Sequence, residues 1–417
     1  MHQLEPLTAP VEPREALRRT AYLLERGRQH SRRVEAFRGA VGVVDEVGVD
    51  EIRERAEAGT LTELTGIGGS TAGVIAQAVA GELPDYLERQ QREHGGPLVE
   101  GGEGTGSAPA DADAATLDPA ADEYLAAIVG DCHSHSDWSD GGSPIQEMVL
   151  TAVELGQEWL VLTDHSPRLR VANGLSADRL RQQLRLVDGI NRSLGDSFRL
   201  LKGIEVDILD DGSLDQSEEM LGRLDLVTAS VHSKLKMARA PMTRRMVAAV
   251  SNPRVNVLGH CTGRLVTGSR GTRPQSDFDA RAVFEACAEH DVAVEINSRP
   301  ERCDPPDELV ALALEIGCLF AVDSDAHAPG QLDFLGYGAQ RALDAGVPVD
   351  RIVNTWSVEG FVAESFQPAE LGWGSHEKWF PPNGHRHAQG CKAAIYLDTP
   401  GLLTKVHTWT PVAGPQY

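Results

Sequence analysis

Short apolar runs alternate with helical stretches along the chain between residues 124 and 365. The runs read AAIVGD, WLVLTD, GIEVDIL, LDLVTASVH, VNVLGH, VAVEIN and LFAVDSD. Strands that alternate with helices in this way pair in parallel and are covered by the helices. Because the alternation continues over roughly 240 residues, we expect an α/β fold with a closed barrel rather than an open sheet.

The parts of the chain on either side of this region have a different composition. Residues 10–94 carry apolar side chains at helical spacing, which predicts a small all-α domain. Residues 95–122 are mainly Gly, Ala, Pro and acidic residues with no basic residue, which predicts a flexible acidic linker. We therefore expect the barrel to occupy residues 123–365, and we leave the C-terminal tail, 366–417, unassigned.

Charge and cysteine content narrow the class of protein. The 417 residues include 39 basic and 62 acidic side chains, and the net charge of −23 argues against broad, non-specific binding to nucleic acid. A local exception is the stretch from Arg14 to Arg38, with eight arginines against three glutamates. The chain has no signal peptide pattern and no run of about 18 apolar residues that would span a membrane. Six scattered cysteines without a CxxC pair indicate reduced thiols and a cytoplasmic protein.

Histidines and carboxylates follow the apolar runs, at the strand ends where barrel active sites are built. His133 and His135 lie two residues apart, so they share one face of a strand and can bind one ion together. Neutral imidazoles and carboxylates are the ligands that Zn²⁺ and Mn²⁺ use, so this clustering predicts a metal site. The other candidates at strand ends are His165, Glu205, Asp207, His232, His260, Asp325 and His327.

The motifs that carry these residues resemble a known family. DCHSHSDWSDG, TDHS, GIEVDIL, SVHS, GHCTGR, EINSRPERCD and DSDAH, in this order, are similar to the motifs of the polymerase and histidinol phosphatase (PHP) superfamily, over about residues 127 to 360. The resemblance implies a distorted (βα)₇ barrel that binds three divalent ions, Zn²⁺ or Mn²⁺. It implies a first ion held by His133, His135, Glu205 and Asp325, a second by Glu205, His232 and His260, and a third by Asp140, His165 and His327.

Ions held close together would activate water and stabilise the charge that develops in phosphoester hydrolysis. Among their ligands we expect Glu205, His165 and Asp325 to act in catalysis. Phosphate-binding cations should lie nearby, and Asn297 would either position the substrate or cap a strand end. The candidate cations are Arg264, Arg302, Arg168 and Lys234.

A second motif lies in the helical N-terminal region, where LTELTGIGG is followed by STAGVI. It resembles a helix-hairpin-helix, in which Gly66, Gly68 and Gly69 allow a tight turn and the amides of the second helix face a DNA phosphate. Together with its surroundings it is similar to the N-terminal domain of bacterial family X DNA polymerases. The alternative is a helical domain used for packing or protein contacts.

This chain departs from the family X pattern at two points. The stretch between the two modules is too short for a polymerase domain and contains no paired-aspartate motif for nucleotidyl transfer, so a polymerase is excluded. No lysine occurs before Lys202, and the Schiff-base lyase activity of related N-terminal domains needs a lysine nucleophile. We therefore expect that lyase activity to be absent.

Three functions are consistent with these motifs. The first is a metal-dependent phosphoesterase in DNA repair that acts on nucleic acid ends as a 3′–5′ exonuclease or 3′-phosphatase. The second is a small-molecule phosphatase of the histidinol phosphatase type, for which the helical domain would be irrelevant to catalysis. The third is a non-catalytic DNA-repair scaffold, which a complete ligand set disfavours. The sequence does not indicate an oligomeric state.

Overall fold

The computed structural model describes residues 4–98, 118–268 and 271–358, together with the backbone of 393–399 and 402–408. Seven parallel strands form one sheet in the order β1 to β7, each paired with the next along the chain. A parallel bridge between Ser134 and Ala326 brings the two edges together, so the barrel is nearly closed. The strands are β1 Gly130–Ser134, β2 Trp159–Leu162, β3 Arg199–Asp207, β4 Leu226–Ser230, β5 Val257–Leu258, β6 Ala293–Asn297 and β7 Phe320–Asp323.

Helices follow or precede each of these strands, which confirms the predicted (βα)₇ barrel. The strand residues are nearly all buried, as parallel strands covered by helices must be. The run AAIVGD is only partly a strand, because its alanines are good helix formers and end a helix at Ala127. The barrel helices are α6 Ala121–Ala127, α7 Ile145–Glu154, α8 Ala177–Leu194, α9 Glu218–Leu221, α10 Arg239–Val250, α11 Ala280–Glu289, α12 Asp307–Ile316 and α13 Leu335–Asp344.

The N-terminal region is helical, as predicted. Gly59 ends α3 in the left-handed conformation, with φ 71°. In the hairpin, Gly66 has φ 93°, and a Cβ on it would lie 3.1 Å from Val43, so this position requires glycine. The helices are α1 Pro13–Arg26, α2 Ser31–Val47, α3 Val49–Ala58, α4 Gly69–Val79 and α5 Asp85–His94.

The helical region and the barrel share one apolar core. Leu17 and Tyr22 of α1 belong to the same buried cluster as Ile145 and Met148 of α7 and Leu332 of the loop after β7. The domain bounds stay a prediction, but the two regions pack against each other over a continuous apolar surface.

Several of the eight early arginines form ion pairs within the folded chain, whereas Arg32 and Arg33 are exposed. Arg18 is buried and lies 2.8 Å from Glu15 and 2.5 Å from Glu154 of α7. Arg26 pairs with buried Asp333. The ion-pair partners of Arg14 are Asp45 and Glu147, and the closest partner of Arg38 is Glu25. These four arginines stabilise the packing because each pairs with an acidic side chain, several of them from distant parts of the chain.

Among the residues that the structure describes, no helix has the length and apolar character needed to cross a membrane. Residues 99–117 of the predicted linker lie outside the described residues, and its last two residues belong to α6. The chain from residue 359 on, which includes the unassigned tail, also lies outside them, apart from an antiparallel pair of strands, β8 Ala393–Thr399 and β9 Leu402–Thr408.

Candidate metal centre

The carboxylate of Glu205, on β3, lies at the centre of four imidazoles. Its Oε1 is 3.1 Å from His232 Nε2 and 2.9 Å from His260 Nε2. Its Oε2 is 2.8 Å from His165 Nδ1 and 3.4 Å from His133 Nε2. Each of these residues lies at or just beyond the carboxyl end of a strand, so closure of the barrel brings together side chains that are far apart in sequence.

Two further carboxylates extend the cluster on the side of β1 and β7. Asp325 Oδ1 lies 3.5 Å from His135 Nε2. Asp140 Oδ1 lies 3.4 Å from His165 Nε2 and 3.5 Å from His327 Nε2. Asp140 and His327 are the more exposed members, at 35% and 22%, so the cluster opens to solvent on their side.

All nine predicted ligand residues fall into four overlapping groups whose candidate ligand atoms lie within 4.8 Å of one another. The grouping differs from the implied three ions, because His133 also groups with Glu205 and His260, and His165 with Glu205 and His232. The assignment of ligands to individual ions therefore stays a prediction. The groups are His135, Asp140, His165 and His327; His133, His135 and Asp325; His133, Glu205 and His260; and His165, Glu205 and His232.

Several of these atoms are buried and have no hydrogen-bond partner within the described part of the chain. They include both carboxylate oxygens of Glu205, Nε2 of His133 and both ring nitrogens of His135. Buried polar atoms in folded proteins are almost always hydrogen-bonded, so this cluster of such atoms fits a bound cation as their common partner. The donor set of imidazoles and carboxylates fits a divalent metal ion.

Burial and the neighbouring carboxylates shift the pKa values of the imidazoles in opposite directions. Burial disfavours the charged form of His133, but Glu205 and Glu295 outweigh burial and raise its pKa well above the ordinary value. For His165, burial is likewise outweighed by Glu205 and by Asp140, and its pKa rises to about 10. Burial lowers the pKa of His135 well below the ordinary value. Metal binding must therefore release protons, and acid weakens it.

Acidic residues outside the ligand set orient the imidazoles. Glu295 Oε1 on β6 lies 2.5 Å from His133 Nδ1, and Asp207 Oδ1 lies 3.1 Å from His232 Nδ1. A proton held on Nδ1 by a carboxylate leaves Nε2 free to bind a metal. Sequence reasoning missed Glu295, although its place in the run VAVEIN, two residues before Asn297, was a usable signal.

We expect Glu295→Gln to weaken metal binding roughly 10- to 100-fold, because the amide orients His133 less strongly than the carboxylate does. Titration of the metal-free protein with Mn²⁺ alone measures this change. Glu308→Gln, at an exposed position on α12, is the matched control and should bind Mn²⁺ like the unaltered chain. Equal affinity in both variants would contradict the orienting role.

The predicted substrate cations have different environments. Arg302 Nε lies 3.0 Å from Asp325 Oδ2, and Asn297 donates a 3.0 Å hydrogen bond to the same oxygen, so both adjoin the ligand set. Arg264 instead donates a 2.8 Å hydrogen bond from Nε to the carbonyl of Cys303 and thereby holds that loop.

Lys234 and Arg168 lie further from the cluster. Lys234 pairs with Asp210 and its side chain is 63% exposed. Arg168 is 49% exposed, with Nε 3.9 Å from Asp207 Oδ2. Sequence reasoning overlooked Arg299, whose Nη1 lies 3.0 Å from His327 Nδ1.

The hairpin glycines form a separate candidate site. The Gly68 amide donates to Thr71 Oγ1 at 2.9 Å. The first amides of α4 have no partners inside the helix because they lie at its N-terminus. A cleft of about 510 Å³ adjoins this end of α4. It is lined in part by Gly69, Ser70 and Gly73, by Arg89 and Arg92, and by the acidic residues Asp85 and Glu88.

Comparisons with known proteins place this geometry in context. Residues 131–299 match the model of the PHP domain. Over 235 residues the chain is 36% identical to the DNA polymerase/3′-5′ exonuclease PolX of Bacillus subtilis, with 56% of this chain and 40% of that protein covered. Over 70 residues it is 61% identical to homospermidine synthase of Mesorhizobium japonicum, with 17% of this chain and 14% of that protein covered. The chain thus spans less than half the length of either relative.

A third relative is covered almost completely. It is a probable phosphatase of Caldicellulosiruptor saccharolyticus, 30% identical over 227 residues, with 52% of this chain and 87% of that protein covered. The resemblance to family X enzymes is confirmed by the Bacillus relative, and the barrel resemblance by the domain match and the fold. The chain belongs to the PHP family.

Proposed function

We propose that the chain is a metal-dependent phosphoesterase that hydrolyses nucleic acid ends, as a 3′–5′ exonuclease or 3′-phosphatase in DNA repair. The observation that carries the proposal is the buried, unpartnered carboxylate of Glu205 among four imidazoles at the carboxyl ends of the barrel strands. Membership of the PHP family supports the hydrolase class, and the Bacillus relative, named a 3′-5′ exonuclease, supports the choice of DNA.

The nine ligand residues would hold three divalent ions, Zn²⁺ or Mn²⁺. When bound, such ions lower the pKa of a coordinated water and stabilise charge on the phosphoryl oxygens. Arg302 and Asn297 fix the Asp325 carboxylate, so its second oxygen keeps one direction. The substrate phosphate would enter beside Asp140 and His327, the exposed side of the cluster, while the buried histidines exclude bulk water from the reacting atoms.

The hairpin, rather than the early arginines, would provide the contact with DNA. Nothing lies within 4 Å of a Cβ built on Gly68, so a side chain fits there without disturbing the fold. An acidic side chain at this position would repel a phosphate that approaches the first amides of α4.

We therefore expect Gly68→Glu to raise KM for a DNA end about tenfold or more, while hydrolysis of a small aryl phosphate is unchanged. The reason is that the added carboxylate faces DNA phosphates but lies outside the metal centre. Steady-state kinetics with Mn²⁺ on single-stranded and gapped DNA and on the aryl phosphate measures both quantities.

Gly39→Glu is the matched control, since Gly39 is an exposed position on α2 with nothing within 4 Å of a built Cβ. It adds the same charge to a different helix of the same region. An equal loss in both variants would indicate a general charge effect, and no loss in either would remove the hairpin from DNA binding.

The second candidate is a small-molecule phosphatase of the histidinol phosphatase type. It is favoured by the Caldicellulosiruptor relative, which is named a probable phosphatase and is covered over 87% of its length. The test is a panel of phosphomonoesters that includes histidinol phosphate, assayed beside DNA ends. Hydrolysis of a phosphomonoester without hydrolysis of the DNA ends would select this candidate. A non-catalytic scaffold is disfavoured, because every one of the nine ligand positions holds a residue able to bind metal.

A further inference from the structure

The loop that carries His327 packs directly against the C-terminal end of α1. Gly330, three residues further on, lies so close that a Cβ on it would be 2.2 Å from the carbonyl oxygen of Tyr22. The Gly330 amide donates a 2.8 Å hydrogen bond to Glu25 Oε2. The helical region therefore touches the metal-binding loop itself and not only the outer helices of the barrel.

A chain of charged contacts runs from this end of α1 toward the metal centre. Arg28 lies two residues beyond α1, and its Nη2 is 3.8 Å from Glu301 Oε2. Glu301 Oε1 in turn contacts Arg299, at 2.7 Å from its Nη2 and 2.8 Å from its Nε. Burial raises the pKa of the Glu301 carboxyl. The guanidinium groups of Arg299 and Arg28 outweigh burial and lower this pKa, so both groups act on the same carboxylate. Two contacts to one oxygen fix the plane of the Arg299 guanidinium.

The remaining nitrogen of that guanidinium, Nη1, faces two of the predicted metal ligands. Arg299 Nη1 donates a 3.0 Å hydrogen bond to the carbonyl oxygen of Asp325 and lies 3.0 Å from His327 Nδ1. Asp325 has φ 50°, a left-handed conformation that is unfavourable for a residue with a side chain. Such a conformation persists only where the surroundings hold it, and the hydrogen bond from Arg299 is one such restraint.

We propose that Arg299 is a positioning residue for Asp325 and His327, held in place by Glu301 and by Arg28 from the helical region. The inference rests on the metal centre of the proposed phosphoesterase and deepens it. It gives the helical region a part in metal binding that is independent of any contact with DNA.

The test is Glu301→Gln in the full chain, titrated with Mn²⁺ alone. The amide keeps the size of the side chain but loses the charge that fixes Arg299, so we expect the weakest-bound Mn²⁺ to lose about tenfold or more in affinity. Excess Mn²⁺ should restore hydrolysis to the rate of the unaltered chain, which a general packing defect would not allow. Because the titration contains no substrate, its outcome does not depend on whether DNA is hydrolysed.

Two further variants keep the proposal open to refutation. Glu154→Gln alters another contact between α1 and the barrel, the pair with Arg18, and should leave Mn²⁺ affinity unchanged. Arg28→Gln leaves the pair between Arg299 and Glu301 intact and should lower Mn²⁺ affinity by about two- to fivefold. Unchanged affinity in Glu301→Gln, or an equal loss in Glu154→Gln, would overturn the proposal. Should Glu301→Gln not fold, unchanged affinity in Arg28→Gln would overturn it.

Discussion

Replacement of Glu205 by Gln is expected to reduce hydrolysis by about 10³-fold or more, whichever phosphoester is the substrate. The amide has the same shape as the carboxylate, so the packing around β3 is kept. It removes the one negative charge that faces four imidazoles at 2.8 to 3.4 Å. Glu205 belongs to two of the four ligand groups, so more than one ion should lose affinity. Several kcal/mol of lost transition-state stabilisation corresponds to a loss of this size.

The measurement is kcat/KM with Mn²⁺ on a DNA end and on a small aryl phosphate, together with the metal content of the purified protein. Glu285→Gln, an exposed position on α11, is the control for loss of one carboxylate. Hydrolysis within tenfold of the unaltered chain would mean that Glu205 is not central to the reaction. Full activity with the metal content reduced would point to structural ions.

The cluster of candidate metal ligands was predictable from sequence because of how a barrel is built. Carboxyl ends of parallel strands meet on one face, so a polar residue at each strand end predicts a shared site without any knowledge of the packing. His133 and His165 show this, since their atoms lie 3.4 and 2.8 Å from Glu205 although the strands are separated by long helices. The implied division into three ions was less accessible, because shared ligands depend on side-chain rotamers.

Arginine roles were much harder to predict. Arg26 finds its carboxylate 307 residues away in Asp333, and Arg14 finds Glu147 across the contact between the helical region and the barrel. Part of the basic run that indicated an exposed surface therefore forms ion pairs within the folded chain. Arg264, a predicted phosphate-binding residue, holds the loop at Cys303, whereas Arg299, which had no predicted role, lies against His327, because loop backbone positions decide what each guanidinium reaches.

Deletion of residues 1–98 is expected to unfold or aggregate the barrel rather than release an active fragment. The small-molecule alternative treated the helical domain as irrelevant to catalysis, but α1 and α7 contribute to one buried cluster. Each large apolar side chain that loses its cover costs roughly 1.5–3 kcal/mol, against a total stability of about 5–15 kcal/mol. Ile145, Met148 and Leu332 belong to that shared cluster, so the loss is comparable with the whole stability.

Thermal unfolding of the truncated and full-length proteins, with and without Mn²⁺, measures the effect. Gly330→Ala tests the same contact in the full chain, because the added methyl would lie 2.2 Å from the Tyr22 carbonyl and must push the loop from α1. We expect this variant to melt at a lower temperature and to bind Mn²⁺ more weakly, since His327 lies in the displaced loop. A soluble truncated barrel with unchanged melting temperature and unchanged phosphomonoester hydrolysis would instead make the helical region an independent module. Loss of activity on truncation does not by itself identify DNA as the substrate, because the shared core predicts that loss for either class of phosphoester.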